Sequence, residues 1–525
     1  MQKILYNLTM IKFGRLQNLL LFAVLVAGWL VPSPTDARDL AQSLRSNEET
    51  IRLDASIPTR PFPHFWEHII GSGRAVLTLR DSWRRDLKKV KNVADIQYVR
   101  FHGIFDDDMG VYDEDAKGNP VYNFSYVDQV YDGLLDNNVK PFVELSFMPN
   151  KLAASSKLHS FWNKPNVSPP KDWDRWSDLI YKFTDHLVQR YGLDEVSSWY
   201  FEVWNEPNID FWAGEPKADT YYKLYDVTAT AIRKVNSRLR VGGPATAQAA
   251  WVRDFIEHCA KNDVPIDFVS THVYANDTSK DVFGTEEDIP RSDMVARAVK
   301  MVSEKVKDSD KPKLPIIFSE YNASYMNEVN VTDSPFMGPW LANNIKECRG
   351  LVNELAYWCL SDVFDEQGVV KTPFYGGYGL IAEGGVGKAA YNAFKLLHKL
   401  GDQEYAMDAS NAILTKRADG TVVIAAWNYV PPNIADLTRT EEFKFTNIGD
   451  CKHAKLWKVD AQHGSPLLVW QTMGKPAYPS KEQLRQLRGA SDVTSPTVLP
   501  LTGENKNELS ISLDRDQLVV VEICK

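Results

Sequence analysis

What this sequence lacks narrows it first. It has no CxxC and no HExxH, so no metal motif with ligand spacing can be read along the chain. No Lys/Arg block of the kind that tracks phosphates interrupts a formal net charge of −9, which sets nucleic acid aside as a partner. Cysteine is scarce, at 5 residues in 525. Cys259, Cys348 and Cys359 lie in apolar settings and read as free core thiols; Cys451 and Cys524 are candidates to pair in an oxidising compartment. Internal repeats and low-complexity linkers are missing too, so the domains are expected to pack together.

Long apolar runs are equally rare. The stretch Leu19 to Val31 is about 13 residues, against about 20 for a membrane span. It follows Lys3, Lys12 and Arg15 and precedes "PSPTDA", where Thr35 and Ala37 suit a small-x-small cleavage site. The expectation is a secretory signal over 1–37, a secreted or periplasmic product, and no membrane association after cleavage. No cysteine follows the run to carry a lipid.

Aromatics are abundant, with 15 Trp, 22 Tyr and 23 Phe; such faces fill cores and also stack on sugar rings. Between residues 62 and 400 eight short β-rich segments recur: "FPHFWEHII", "IQYVRFHGI", "KPFVELSFM", "WYFEVWNEP", "LRVGGPATA", "DFVSTHVYA", "PIIFSEYNA" and "LAYWCLSDVF". Most are nearly continuous apolar runs, as in parallel strands covered on both faces, and helical periodicity fills the gaps. Eight β/α units predict an α/β fold, a (β/α)8 TIM barrel. A doubly wound sheet is the runner-up, but the first βα turn has no GxGxxG. Over 401–525 polar and apolar residues alternate around turns, with Asp419-Gly420 at the tip of a hairpin, predicting an all-β sandwich. The extension 38–61 alternates at "ETIRLDAS" and is expected to lend that sandwich a strand.

A barrel places its site at the C-terminal ends of its strands. Those ends carry His102; Phe147; Asn205 and Glu206; His272 and Tyr274; Glu320 and Tyr321; and Trp358, with Asp362, Asp365 and Glu366 beyond. Each of these alone has a bland reading as a cap, a core residue or a loop charge. Glu206 and Glu320 are harder to dismiss, because each closes a run that should be buried, and a carboxylate there must be paired, hydrogen-bonded or functional. They fall on the fourth and seventh strands, facing one another over the mouth. Two facing carboxylates in an aromatic bowl are the equipment of glycoside hydrolysis, one protonated to donate and one ionised to attack or stabilise.

The motifs "FWEHIIGSGRAVLTLR", "YVRFHGIFDDDMGVY", "ELSFMPNKLA", "EVWNEPNIDFW", "FVSTHVYAND", "PIIFSEYNASY", "YWCLSDVFDEQG" and "PFYGGYGLI", in this order, resemble glycoside hydrolase family 39, the β-xylosidase and α-L-iduronidase family. The resemblance implies a retaining enzyme without a cofactor, acting on a glycoside. It makes Glu206 the general acid/base and Glu320 the nucleophile, with carboxyl groups about 5–5.5 Å apart. It also implies Asn205 on the sugar 2-hydroxyl, His102, His272 and Tyr274 lining the site, and Trp358 as a stacking platform. Phe147, Phe211 and Trp212 are expected as pocket walls, whereas Glu202, deeper in its strand, reads as structural.

A uronic acid would need Arg or Lys in the pocket. The loop after strand eight, "SDVFDEQG", and the end of strand six, "THVYAND", offer none, and Asp365 with Glu366 would suit neutral hydroxyls, which favours a β-xyloside over an iduronide. Lys151, Lys164 and Lys371 remain loop candidates. The resemblance implies two adjacent Glu where Asp365 and Glu366 stand, so a β-hexoside or an arabinoside stays open as glycone. The alternative of another class is a non-catalytic carbohydrate-binding barrel. Sequons occur at Asn123, Asn166, Asn276, Asn322 and Asn330; the one at Asn322 is read as coincidence, two residues from the candidate nucleophile.

Overall fold

The computed structural model describes residues 48–407, 409–430 and 438–523, so the expected signal segment and Cys524 lie outside the described residues. The compact body that carries the site runs from Thr50 to Lys525. Its centre is a closed barrel of eight parallel strands. In chain order these are β1 (Ile69–Arg74), β2 (Tyr98–His102), β3 (Lys140–Leu145), β4 (Tyr200–Val203), β5 (Arg240–Thr246), β6 (Phe268–Tyr274), β7 (Ile316–Asn322) and β8 (Glu354–Tyr357). Six of the eight lie wholly within the apolar segments read from the sequence; β1 shares only Ile69 and Ile70 with its segment and runs on to Arg74, and β8 begins one residue early, at Glu354.

A main helix follows each strand: α1 (Asp81–Lys91), α2 (Ser125–Leu135), α3 (Trp173–Tyr191), α4 (Lys217–Val235), α5 (Val252–Lys261), α6 (Met294–Lys307), α7 (Met337–Cys348) and α8 (Ala389–Leu397). The start of α3 shows why helices begin where they do: the Asp172 carboxylate accepts from the backbone N–H groups of Asp174 and Arg175, satisfying donors that have no intrahelical partner. One face of each helix, such as Leu179, Ile180, Phe183 and Leu187 of α3, is buried against the barrel.

The remaining sheets are antiparallel. A seven-stranded sheet orders Thr59–Pro61, Gln403–Tyr405, Ala412–Lys416, Val422–Asn428, Gln517–Ile523, His453–Val459 and Thr497–Pro500, and a three-stranded sheet contains Glu48–Asp54, Arg439–Thr446 and Glu508–Leu513. The extension thus supplies two strands, one to each sheet. Strand period sets the packing of Val422–Asn428: Ile424 and Ala426 join a core with Phe443, Ile511 and Val521, while Val423, Ala425 and Trp427 join the barrel core. Gly420, at φ 91°, makes the expected hairpin turn with Asp419. Two helices interrupt this β region, Leu467–Thr472 and Lys481–Ala490, and pack Trp470 and Leu487 on Phe374 and Val386 of the chain after β8. Cys451 is in a disulfide, and Cys259, Cys348 and Cys359 are free and buried.

Candidate active site

Arg100, at the middle of β2, is fully buried inside the barrel. A guanidinium there is tolerable only if its donors are used. Its Nε donates to Glu202 Oε2 at 2.5 Å, Nη1 to Glu320 Oε1 at 2.6 Å, and Nη2 to Asn205 Oδ1 at 3.0 Å, with Glu144 Oε2 2.9 Å from Nη2. Burial opposes the cation, but Glu144, Glu202 and Glu320 outweigh it and hold its pKa above the ordinary value. One cation thereby joins β3, β4 and β7 and aims both Asn205 and Glu320. His102, two residues on along the same face, hydrogen-bonds Glu144 Oε2 through Nδ1 at 2.8 Å. Burial disfavours its charge too, yet Glu144 and Glu320 raise its pKa.

Glu206 sits where β4 breaks. Trp204 and Glu206 both have positive φ, 71° and 45°, a region unfavourable for side-chain-bearing residues and sustained only by surrounding structure. The Glu206 N–H donates to Ala245 O at 2.8 Å, fixing the turn. The Glu206 Oε1 lies 3.0 Å from His272 Nδ1, and His272 Nε2 lies 3.1 Å from Ser319 Oγ. Ser319 in turn donates to Glu202 Oε1 at 2.6 Å. This order assigns the imidazole tautomer: with its hydrogen committed to Glu202, Ser319 accepts from Nε2–H, and Nδ1 is left as an acceptor. Burial, then Arg100 and His102, keep the His272 pKa well below its ordinary value. The proton between His272 and Glu206 therefore belongs to Glu206. Burial, then the charges of Glu320 and Asp277, push the Glu206 pKa well above the carboxylate range.

Glu320 closes the arrangement. Its Oε2 accepts from Tyr274 OH at 2.7 Å, and burial plus the Glu320 charge raise the Tyr274 pKa so that the phenol stays a donor. One oxygen of Glu206, one of Glu320 and a nitrogen of His272 lie within 4.8 Å of one another. Above them opens a cavity of about 360 Å³. His159 stacks on Phe211 at 3.9 Å between ring centroids, and Trp358 lies 4.7 Å from the His102 ring. Gly71 on β1 makes room for that indole, since a Cβ there would stand 2.4 Å from Trp358 Cε3. Glu366 reaches the cavity with its pKa pushed up to about 8 by burial, despite His102 Nε2 3.8 Å away.

Of the residues expected from sequence, His102, Asn205, Glu206, Phe211, Tyr274, Glu320, Trp358 and Glu366 line the cavity. His272 is buried behind Glu206 and touches it rather than the space. Phe147 stacks beneath Phe211 at 5.8 Å, and Trp212 packs edge-on against Trp204 with its indole N–H on Thr220, so both support the wall without forming it. Asp365 requires correction: Arg74 of β1 grips it through Nε at 3.2 Å and Nη2 at 3.0 Å, turning the carboxylate away from the cavity. Arg74 also donates to Asp108 Oδ2 at 2.6 Å.

Sequence reasoning missed Arg100, Glu144 and Ser319, though the first two carried the signal used for Glu206, a charge inside an apolar run. It also missed the cavity residues His159, Phe161, Gln248, Asp277, Tyr325, Gln367 and Tyr378, which come from loops without periodic pattern. Glu202 is structural as expected, the joint between Arg100 and Ser319. Asn322 is fully buried and donates to Trp358 O, leaving no place for a glycan at its sequon.

The profile of glycosyl hydrolases family 39 matches residues 49–506. A β-xylosidase of Geobacillus stearothermophilus is 36% identical over 473 residues, 88% of this chain and 93% of that protein. The mouse α-L-iduronidase is 23% identical over 564 residues, covering 92% of this chain and 82% of its own. Among solved structures, a monomeric β-xylosidase from Caulobacter crescentus CB15 superposes with a TM-score of 0.83 at 31% identity, covering 90% of this chain and 99% of that one. A family match over residues 49–506, with 36% identity to a relative across 88% of the chain, makes this chain a glycoside hydrolase of family 39.

Proposed function

We propose that the protein is a retaining exo-β-xylosidase that releases terminal D-xylose by double displacement. The observation that carries the mechanism is the spacing of the two carboxylates. Oxygens within 4.8 Å suit a nucleophile and an acid about 5–5.5 Å apart; an inverting pair needs about 6.5–9.5 Å to seat a water between them. In the first step a Glu320 oxygen bonds the anomeric carbon while Glu206 gives its proton to the departing glycosidic oxygen. The ester so formed removes the Glu320 charge, the largest of the charges that lift the Glu206 pKa, so Glu206 becomes a carboxylate able to act as base. It then takes a proton from water, whose oxygen bonds the anomeric carbon and frees Glu320. Asn205, held by Arg100 through Oδ1, presents its Nδ2 donors toward the cavity for the sugar 2-hydroxyl.

The lack of a cation for a uronate supports a neutral glycone. Glu206, Glu320, Glu366 and Asp277 are the acidic groups that line the cavity, and among the described lining residues there is no Lys or Arg. Lys151 pairs with Asp113, Lys164 donates to Ser160 O, and Lys371 is exposed. The similarity to β-xylosidases at 36% identity supports the same sugar. A second reading, another neutral glycone such as a β-hexoside or arabinoside, is favoured by one observation: Asp365 is held by Arg74 and does not line the cavity beside Glu366.

Glu320→Ala assayed on an activated aryl β-D-xyloside, with and without azide, tests the mechanism. Rescue with formation of the glycosyl azide is expected; no rescue on any glycoside that the native enzyme cleaves overturns it. A panel of aryl β-D-xyloside, β-D-galactoside, β-D-glucoside, α-L-arabinoside and α-L-iduronide decides the glycone, and preference for the iduronide would sink the charge argument.

A further inference from the structure

The opposite end of the barrel holds a second group of ionisable side chains that catalysis does not use. Glu67, immediately before β1, is fully buried. Its Oε1 lies 2.6 Å from His64 Nδ1 and 3.0 Å from His398 Nδ1, and its Oε2 accepts the backbone N–H of Asp95 at 3.1 Å. Among the described residues its ion pairs are with these two imidazoles alone. The nearby cations are engaged elsewhere: Lys91 by Ile96 O and Asp95, Arg417 by Glu522 and Lys399 O. A buried carboxylate left to two titratable rings lacks a permanent positive partner.

We infer that His64, Glu67 and His398 form a binding site for a divalent transition ion of the zinc class. One ligand atom from each lies within 4.8 Å of the others. The two rings stand at 83° with centroids 6.1 Å apart, so they approach the carboxylate from different directions. Bonds of about 2.0–2.2 Å in tetrahedral array put donors about 3.3 Å apart. The present 2.6–3.0 Å contacts open to that by a few tenths of an ångström, and His398, just beyond α8, has its side chain 45% exposed, with solvent on its outer side.

Two imidazoles and one carboxylate suit zinc-class ions, whereas Mg²⁺ and Ca²⁺ take oxygen sets. The Asp95 N–H supplies the outer bond that orients a ligating carboxylate. A solvent-open cavity of about 560 Å³ flanks all three residues, giving an entry path and room for water at the remaining position. The ion would tie the segment before β1 to the end of α8, closing the barrel chain on itself. Because His398 lies 331 residues from Glu67 in sequence, the full ligand set exists only in the folded state, which the ion would stabilise by mass action.

Glu206, His272 and Glu320 form another His/carboxylate group, so zinc could also inhibit at the catalytic site, and the test must separate the two. The full chain, stripped with chelator, is titrated with Zn²⁺ and with Mg²⁺ by calorimetry and followed by thermal unfolding, as native protein, His64→Asn/His398→Asn, and His398→Ala. The native chain is expected to bind one zinc equivalent that the double variant lacks, with about a tenfold or greater loss of affinity in His398→Ala. Zinc should raise the native Tm and not that of the double variant, while turnover without zinc is unchanged in both variants. His398→Ala, altered at a half-exposed side chain, decides the matter if the double variant fails to fold. Identical zinc isotherms in native protein and His398→Ala, or equal binding of Mg²⁺, overturn the proposal.

Discussion

Ser319→Ala probes the proposed acid, Glu206, from outside the cavity. The hydroxyl accepts from His272 Nε2 at 3.1 Å and donates to Glu202 at 2.6 Å. Without it the Nε2–H becomes a buried unpaired donor, at a cost of about 1–3 kcal/mol. The imidazole can escape that cost by moving its hydrogen to Nδ1, where it faces Glu206 Oε1 at 3.0 Å. A donor in that position favours the ionised form of Glu206, reversing the present preference. One hydrogen bond of about 1–1.5 kcal/mol corresponds to about one pKa unit. As the proposed acid, Glu206 works only below its pKa, so the alkaline limb of kcat/KM should fall by about one pH unit. The assay is kcat/KM against pH for phenyl and dinitrophenyl β-xylosides. The phenyl leaving group needs the proton and should show the shift; dinitrophenolate leaves unaided and should not. A shift of equal size with both substrates, or none with either, refutes the tautomer argument, even if Tm drops.

Other substitutions test other joints. Lys388, fully buried, pairs with Asp333 at 2.7 Å and Asp362 at 2.6 Å; Lys388→Met should strand both carboxylates and cost about 3–5 kcal/mol, read as a lowered urea midpoint. Gly71→Ala drives a methyl group to 2.4 Å from Trp358 Cε3 and should cut kcat/KM at least about tenfold, with Tm separating site damage from unfolding. Glu366 has a pKa of about 8 and is a neutral acid below that pH. Glu366→Gln should then keep kcat/KM at pH 6 within about tenfold of native, with Glu366→Ala losing more.

Local pattern and long-range pairing divide what the sequence could tell. The eight strands were legible because parallel strands are apolar on both faces, and Glu206 and Glu320 stood out against that background. The same contrast marks Arg100 in "YVRFHG" and Glu144 in "PFVELSF", but reading strand ends alone passed over charges set one layer deeper. Asp365 was misplaced because its partner, Arg74, lies 291 residues earlier, and no local pattern reports such a pair. His159, Tyr325 and Gln367 reach the cavity from loops, where neither period 2 nor period 3.6 applies. The two helices at 467–490 lie within an alternating, turn-rich region, and their apolar residues face the barrel's last loop rather than the sheets.

The seven-stranded sheet has a consequence for synthesis. Its strand Gln517–Ile523 lies between Val422–Asn428 and His453–Val459 and pairs with both, while Leu518 and Val520 complete the barrel's own hydrophobic core. During translation every cavity residue, the last being Tyr378, is made about 140 residues before that strand appears, an interval of about 7–28 s at ordinary elongation rates. Until then the nascent barrel exposes the apolar flank that this sheet covers, and two half-sheets stand with unpaired edges. A premature stop near residue 515 would thus leave the whole active-site sequence intact yet produce a chain prone to aggregate.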